Sequence, residues 1–149
     1  HIYWSKDSGG FYSGLNYYQP STNQIISLVS SSVSAFCFNS SGDIFYCNGS
    51  SLLDLQGNIV CSASSIISVY YNPPTSSFIL QSATKIETDQ GVLIYTSEVG
   101  SIFGMDIDYI NQKIIFNAGY SSASIDINGD NLNYNTVHQL QPSSIASKE

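Results

Sequence analysis

Apolar residues run along this chain in short bursts broken by Gly, Pro, Asn and Ser. Nowhere do they recur at the i, i+3, i+4, i+7 spacing that gives a helix one greasy face. The bursts are rich in Ile, Val, Phe and Tyr, which fit a pleated surface. They predict strands over 25–29, 33–38, 43–46, 66–71, 77–80, 92–95, 102–107, 113–116 and 124–127. Turn formers punctuate them: Ser41-Gly42, Asn48-Gly49, Gln56-Gly57, Asn72-Pro73-Pro74, Gln90-Gly91 and Asn128-Gly129. An all-β chain follows.

The bursts also repeat. Strand, polar turn, strand, gap, short strand and Gly turn follow one another from Phe36-Cys37-Phe38-Asn39 through Ile44-Phe45-Tyr46 to Leu53 and Gly57. The same order runs from Val69-Tyr70-Tyr71-Asn72 through Phe78-Ile79-Leu80 to Ile86 and Gly91, and from Met105-Asp106-Ile107-Asp108 through Ile114-Ile115-Phe116 to Ile125 and Gly129. Gly57, Gly91 and Gly129 stand 34 and 38 residues apart. A partial copy precedes them, with Ile2-Tyr3-Trp4 in the second-strand slot, Leu15-Asn16-Tyr17 in the third and 25–29 in the fourth.

The repeats divide the chain at about 1–32, 33–65, 66–101 and 102–134, with 135–149 as an edge strand and linker. Four antiparallel strands in a period of about 35 residues predict a β-propeller-like array of meander blades, about three and a half to four of them. Tyr3-Trp4-Ser5 followed by Asp7, with Ile44-Phe45-Tyr46-Cys47 and Ile114-Ile115-Phe116-Asn117 as degenerate copies, resembles the YWTD blades of lipoprotein-receptor-type propellers and, more distantly, NHL blades. That resemblance implies a six-bladed extracellular scaffold that binds other proteins on one rim and performs no catalysis. Six such repeats exceed the 149 residues here, so unpaired strand edges and apolar blade faces are expected to need a cover. Further blades or copies of the chain assembled as a filament would supply one.

Composition sharpens the setting. Only 10% of residues are charged, against roughly 25% in ordinary soluble domains, and hydroxyls and amides carry the polarity instead. This favours a secreted or cell-surface protein decorated with glycans. A net charge of −7 repels a phosphate backbone and argues against nucleic acid as a partner. No run approaches the ~20 apolar residues of a membrane-spanning helix, so no membrane insertion is expected. The expected partners are other protein chains, copies of this one included.

Candidate chemistry is sparse. Asn39-Ser40-Ser41 and Asn48-Gly49-Ser50 are N-glycosylation sequons in predicted turns. Cys37, Cys47 and Cys61 fit neither a zinc nor a C-x-x-C redox spacing. A disulfide between two of them is expected, its partners left open by the sequence, and free buried thiols are the alternative. Asp126, Asn128 and Asp130 offer oxygens to a calcium ion but lack EF-hand spacing, so a plain Asn-Gly turn is the simpler reading. No metal and no cofactor is expected. Asp106 and Asp108 alternate on one strand and share a face.

His1 with His138 could form a copper brace of the polysaccharide monooxygenase kind, a remote alternative that a 35-residue repeat argues against. Carboxylates for glycosidase chemistry would have to come from Asp54, Glu87, Asp89, Glu98 and Asp106, whose spacing singles out no pair. The expectation is therefore a non-catalytic extracellular structural or adhesion segment. A lectin-like module, with exposed aromatics among Asn and Asp, is the alternative.

Overall fold

The computed structural model describes residues 2–7 and 12–135, and His1, 8–11 and 136–149 lie outside it. The described chain forms four antiparallel sheets, each a simple meander with sequential strands side by side. The first has three strands, β1 (Ile2–Asp7), β2 (Tyr12–Gln19) and β3 (Gln24–Ser32). The second comprises β4 (Ala35–Phe38), β5 (Ile44–Cys47), β6 (Ser51–Asp54) and β7 (Ile59–Ser62). The third comprises β8 (Ser68–Asn72), β9 (Ser77–Gln81), β10 (Lys85–Thr88) and β11 (Leu93–Thr96). The fourth comprises β12 (Ile102–Asp108), β13 (Lys113–Ala118), β14 (Ser121–Asp126) and β15 (Asn133–Asn135). The chain is thus a propeller-like array of meander blades, and the first sheet begins in the second-strand slot.

Each predicted strand has a counterpart, shifted by a few residues at its ends. β7 was not among the predicted runs. Its four residues show no alternation, because it is an outermost strand and Ile59 and Val60 point to solvent. At the C-terminal side Asn133, Tyr134 and Asn135 pair with Ser124, Ala123 and Ser122, and the edge strand and linker expected beyond Asn135 lie outside the described residues.

Period-two alternation sends neighbouring side chains of a strand to opposite faces, and each face packs on the next sheet. Ile44 and Tyr46 of β5 join Leu15, Val29 and Leu53 between the first two sheets, where the Tyr3 ring meets Phe38 edge-on at 5.0 Å. Phe45 and Cys47 point the other way and join Val69, Phe78 and Leu80 between the second and third. Ile79 and Ile86 join Met105, Ile107, Ile114, Phe116 and Ile125 between the third and fourth. Fully burying one such aliphatic or aromatic side chain contributes about 1.5–3 kcal/mol. These three interfaces hold the array together.

Polar ties secure the last interface. The Tyr70 hydroxyl donates to the Met105 carbonyl at 2.6 Å, Gln81 Nε2 donates to the Ile102 carbonyl at 3.0 Å, and the Ile102 N–H donates to the Ala83 carbonyl at 2.7 Å. Tyr95 and Tyr134 join hydroxyl to hydroxyl at 2.8 Å, which pushes the Tyr134 phenol up to about 12.

The turns repeat as the strands do. Between β6 and β7, β10 and β11, and β14 and β15, a glycine with positive φ donates its N–H three residues back: Gly57 to Asp54, Gly91 to Thr88 and Gly129 to Asp126. This is the turn-plus-bulge hairpin that needs a left-handed residue. These turns and those joining the first two strands of each complete sheet lie on one rim, called the upper rim below. The turns joining the second and third strands lie on the lower rim.

The faces at the two ends of the array were expected to be apolar. The far face of the fourth sheet is not. Lys113, Ile115 and Asn117 of β13 point away from the third sheet, together with Asp106 and Asp108 of β12 and Ser122, Ser124 and Asp126 of β14, as the pairing register requires. Ile115 and Phe103 are its exposed hydrophobics. A sheet with one wet, polar face needs no cover on that side.

Candidate functional site

The folding of equivalent turns onto one rim collects the acidic residues. Asp43, Asp54, Glu87, Asp89, Asp108, Asp126 and Asp130 all lie in or beside upper-rim turns, and Lys113 is the cation among them. The lower rim carries Glu98 and Lys85, and β1 ends on it with Lys6-Asp7.

The same turn chemistry that orders these loops lowers three of their carboxyls. Asp54 accepts from the Asn58 side chain at 2.8 Å and from the Asn58 N–H at 2.8 Å, which holds its carboxyl below the usual range. Asp108 is lowered likewise by the Asn111 amide at 2.7 Å and by backbone N–H groups of Asn111 and Ile110. Asp126 is lowered first by the Lys113 ammonium at 2.7 Å and then by the Asn131 amide. Asp89 accepts the Phe78 N–H at 2.9 Å. Each of these four carboxylates is anchored by one of its oxygens or both, so their charges sit at fixed positions on the rim.

Two shallow grooves open there. One of about 390 Å³ is lined by Asp43, Phe45, Asp54 and Gln56 of the second sheet. The other, about 360 Å³, runs between Thr75 of the third sheet and Asn111, Gln112, Asp126 and Asn128 of the fourth. Both are open, shaped for a surface contact more than for an enclosed small molecule.

The residues singled out from the sequence fall as follows. Asp126, Asn128 and Asp130 do meet in one turn, but Asp126 is engaged by Lys113 and Asn131, and Asn128 is tied to Asp130 by two hydrogen bonds. No group of three or more His, Cys, Asp or Glu side chains gathers in a metal-binding arrangement among the described residues. Asp106 and Asp108 share the open face of the fourth sheet. The other carboxylates are dispersed: Asp54 on the second sheet, Glu87 and Asp89 on the third, Glu98 on the opposite rim. His1 and His138 lie outside the described residues, as does the side chain of Trp4.

The expected disulfide does not form, and Cys37, Cys47 and Cys61 are free thiols. All three enter the apolar layer between the second and third sheets. Register explains why they stay apart. Ala35 pairs with Cys47 while Cys37 pairs with Phe45, so Cys37 and Cys47 are diagonal neighbours. Diagonal positions lie about 7–8 Å apart, beyond the ~4.4–6.8 Å between Cα atoms in a disulfide. Cys61 pairs with Leu52, which pairs with Cys47, so a whole strand intervenes. Burial pushes the Cys37 and Cys47 thiols up to about 12 and raises Cys61 as well.

The two sequons lie on opposite rims. Asn39 Oδ1 accepts the N–H groups of Ser41 and Asp43, and its Nδ2 donates to Asp43. Asn48 sits in an exposed lower-rim turn, where Ser50 Oγ reaches its Oδ1 at 3.1 Å and its Nδ2 is not engaged by any described residue. Asn48 is the better-placed acceptor. The acidic rim itself escaped the sequence reading, although a signal existed: Asp or Asn recurs at the ends of successive strands, and meander topology alternates those ends between rims.

No protein-family model and no curated protein sequence matches this chain. Solved structures do. A chain from the crystal structure of a nidogen/laminin complex superposes with a TM-score of 0.66 at 8% identity, over 82% of this chain and 57% of that one. The present chain therefore spans little more than half of that relative's length. The extracellular domain of a one-component system from B. thetaiotaomicron aligns over 82% of this chain and 20% of that one, at 14% identity and a TM-score of 0.37. At these identities the first match establishes the fold, a β-propeller-like array, and the second adds no argument. No helix among the described residues is long and apolar enough to cross a membrane.

Proposed function

We propose that this chain is a non-catalytic segment of an extracellular structural or adhesion protein, built of YWTD-type blades, which holds protein partners on its acidic upper rim. The observation that carries the reading is the division of charge. Anchored carboxylates gather on the upper rim, while the lower rim balances Glu98 and Asp7 against Lys85 and Lys6. Such a surface favours partners with Lys- and Arg-rich patches and speeds their encounter. The matched structure is of a nidogen/laminin complex, a protein-protein assembly, and supports the same reading. The sparse charge of the chain and its two sequons support a secreted glycoprotein.

The test is capture of secreted proteins on the immobilised chain. A partner should be retained by the wild type, released by added salt, and lost with Asp43→Lys, Asp54→Lys and Asp130→Lys combined. Lys85→Glu on the lower rim should keep it. Retention that ignores the upper-rim charges would refute the rim assignment. Intact mass before and after glycosidase tests the glycoprotein part, which an unmodified secreted chain would sink.

One observation favours a lectin-like second reading. Phe103 and Tyr120 are 71% and 89% exposed, and Gly104 next to Phe103 pairs with Asn117, whose Oδ1 accepts from Ser122 Oγ. Aromatic faces beside amides suit sugar rings. Glycan-array binding that disappears with Tyr120→Ala would establish it, and a blank array would remove it.

A further inference from the structure

The chain contains two Asn-Gly pairs, Asn48-Gly49 on the lower rim and Asn128-Gly129 on the upper. Both asparagines are exposed, and each is followed by a glycine with positive φ, 93° at Gly49 and 91° at Gly129. An Asn-Gly pair can react with itself. The glycine nitrogen attacks the asparagine Cγ, ammonia leaves, and water reopens the resulting succinimide. The absence of a β-carbon on glycine leaves that approach unhindered. Local hydrogen bonding decides whether a given pair reacts, and here the two turns differ at the glycine nitrogen, at the asparagine Nδ2 and in the number of donors on Oδ1.

At Asn128 the nucleophile is tied up, because the Gly129 N–H donates to the Asp126 carbonyl at 2.8 Å. The leaving group is tied as well, with Asn128 Nδ2 donating to Asp130 Oδ2 at 2.9 Å and its Oδ1 accepting the Asp130 N–H at 3.1 Å. The approach to Gly129 is also crowded, since a Cβ there would lie 3.3 Å from the Ile94 carbonyl oxygen.

At Asn48 the nucleophile, the approach and the leaving group are free, and Oδ1 has three donors instead of one. The Gly49 N–H has no acceptor among the described residues, and nothing lies within 4 Å of the point where a Cβ would stand. Three donors converge on Asn48 Oδ1: the Ser50 N–H at 3.1 Å, the Ser50 hydroxyl at 3.1 Å and the Ser51 N–H at 2.9 Å. These are the groups that would stabilise the oxyanion formed when Cγ becomes tetrahedral. Nδ2 is free to take a proton and leave. The turn is also held in place, with Asn48 N–H on the Ser51 carbonyl and the Gly49 carbonyl on the Ser65 N–H.

We propose that Asn48 is a self-modifying position. When it carries no glycan, its side-chain amide cyclises onto the Gly49 nitrogen and hydrolyses to aspartate or isoaspartate, while Asn128 is protected by its own turn. In the first step Gly49 N loses its proton and bonds to Asn48 Cγ as the Cγ–Nδ2 bond breaks, and Nδ2 departs as ammonia. Water then adds to either carbonyl of the ring and cleaves one of its two C–N bonds, with no change of oxidation state. The isoaspartate product carries an extra methylene in the β5–β6 turn and places a carboxylate on the nearly neutral lower rim. Asn48 Nδ2 is also the atom a glycan would occupy, so the two fates exclude each other. Only this last point rests on the secreted-glycoprotein reading.

The test uses the whole chain produced without glycosylation, incubated folded in mildly alkaline buffer and sampled by peptide mass mapping. The Asn48 peptide should gain about one mass unit at least roughly ten-fold faster than the Asn128 peptide, and in urea the two rates should converge. Ser50→Ala, which removes one oxyanion donor from an exposed turn, should slow Asn48 several-fold and leave Asn128 unchanged. Equal rates in the folded chain, or a faster Asn128, would overturn the proposal. Conversion at Asn48 on a molecule already carrying a glycan there would overturn the exclusion alone.

Discussion

The third and fourth sheets have the same four-strand meander and the same Gly turn between their last two strands, yet their second strands read differently. β9 is Ser77-Phe78-Ile79-Leu80-Gln81 and is buried at every position. β13 is Lys113-Ile114-Ile115-Phe116-Asn117-Ala118, with buried and half-exposed or exposed residues in turn. A strand packed on both faces needs apolar groups at consecutive positions, whereas a strand packed on one needs them at alternate positions. The length of an unbroken apolar run therefore reports how many neighbours a blade has. The third blade is packed on both faces, and the fourth on one among the described residues.

The sharpest way to break this comparison is to truncate both faces of β13. Phe116→Ala, pointing into the third-fourth interface, should cost about 3–5 kcal/mol in denaturant unfolding. Ile115→Asn, one residue earlier on the same strand, should stay within about 0.5 kcal/mol. Similar losses for the two would mean that the outer face is covered in the native protein.

Next in size is the chemistry of the internal layers. Cys37 and Cys47 should resist alkylation in the folded chain at neutral pH, and all three thiols should react once it is unfolded. Their raised values favour the neutral thiol in the folded state. The stability they contribute is complete below the ordinary thiol value of 9.0 and is lost as pH rises from there toward about 12. Unchanged stability across that alkaline window would contradict their burial.

The smallest expected effect concerns the upper-rim turns. Asp54, Asp108 and Asp126 titrate below 3.8 in the folded chain, so their contribution is present above that value and disappears as pH falls through the lowered ones. Hydrogen exchange under acid should release the 54–58, 108–112 and 126–131 turns before the lower-rim turn at 47–51. Simultaneous release would show that the carboxylates do not hold the rim.

Much of this architecture can be read from the residues. Val69-Tyr70-Tyr71 and Phe78-Ile79-Leu80 announce strands by β-branched and aromatic content, and Gly57, Gly91 and Gly129 announce the period, because only a left-handed residue closes those hairpins. β7 and β15 were harder to see. They are short outer strands whose pairing is set by the strand beside them, so their own side chains carry little pattern. The three cysteines show the same divide. Their apolar setting followed from their place in the repeat, but their separation depended on register.

The sequence by itself determined the strand content, the repeat and the turns, since each arises from interactions within a few residues. Tertiary structure alone decided which rim each turn joined, which faces met and which thiols lay within reach. Those outcomes depend on the direction and register in which strands pair, and a shift of a single residue would have turned every side chain of a strand to the opposite face.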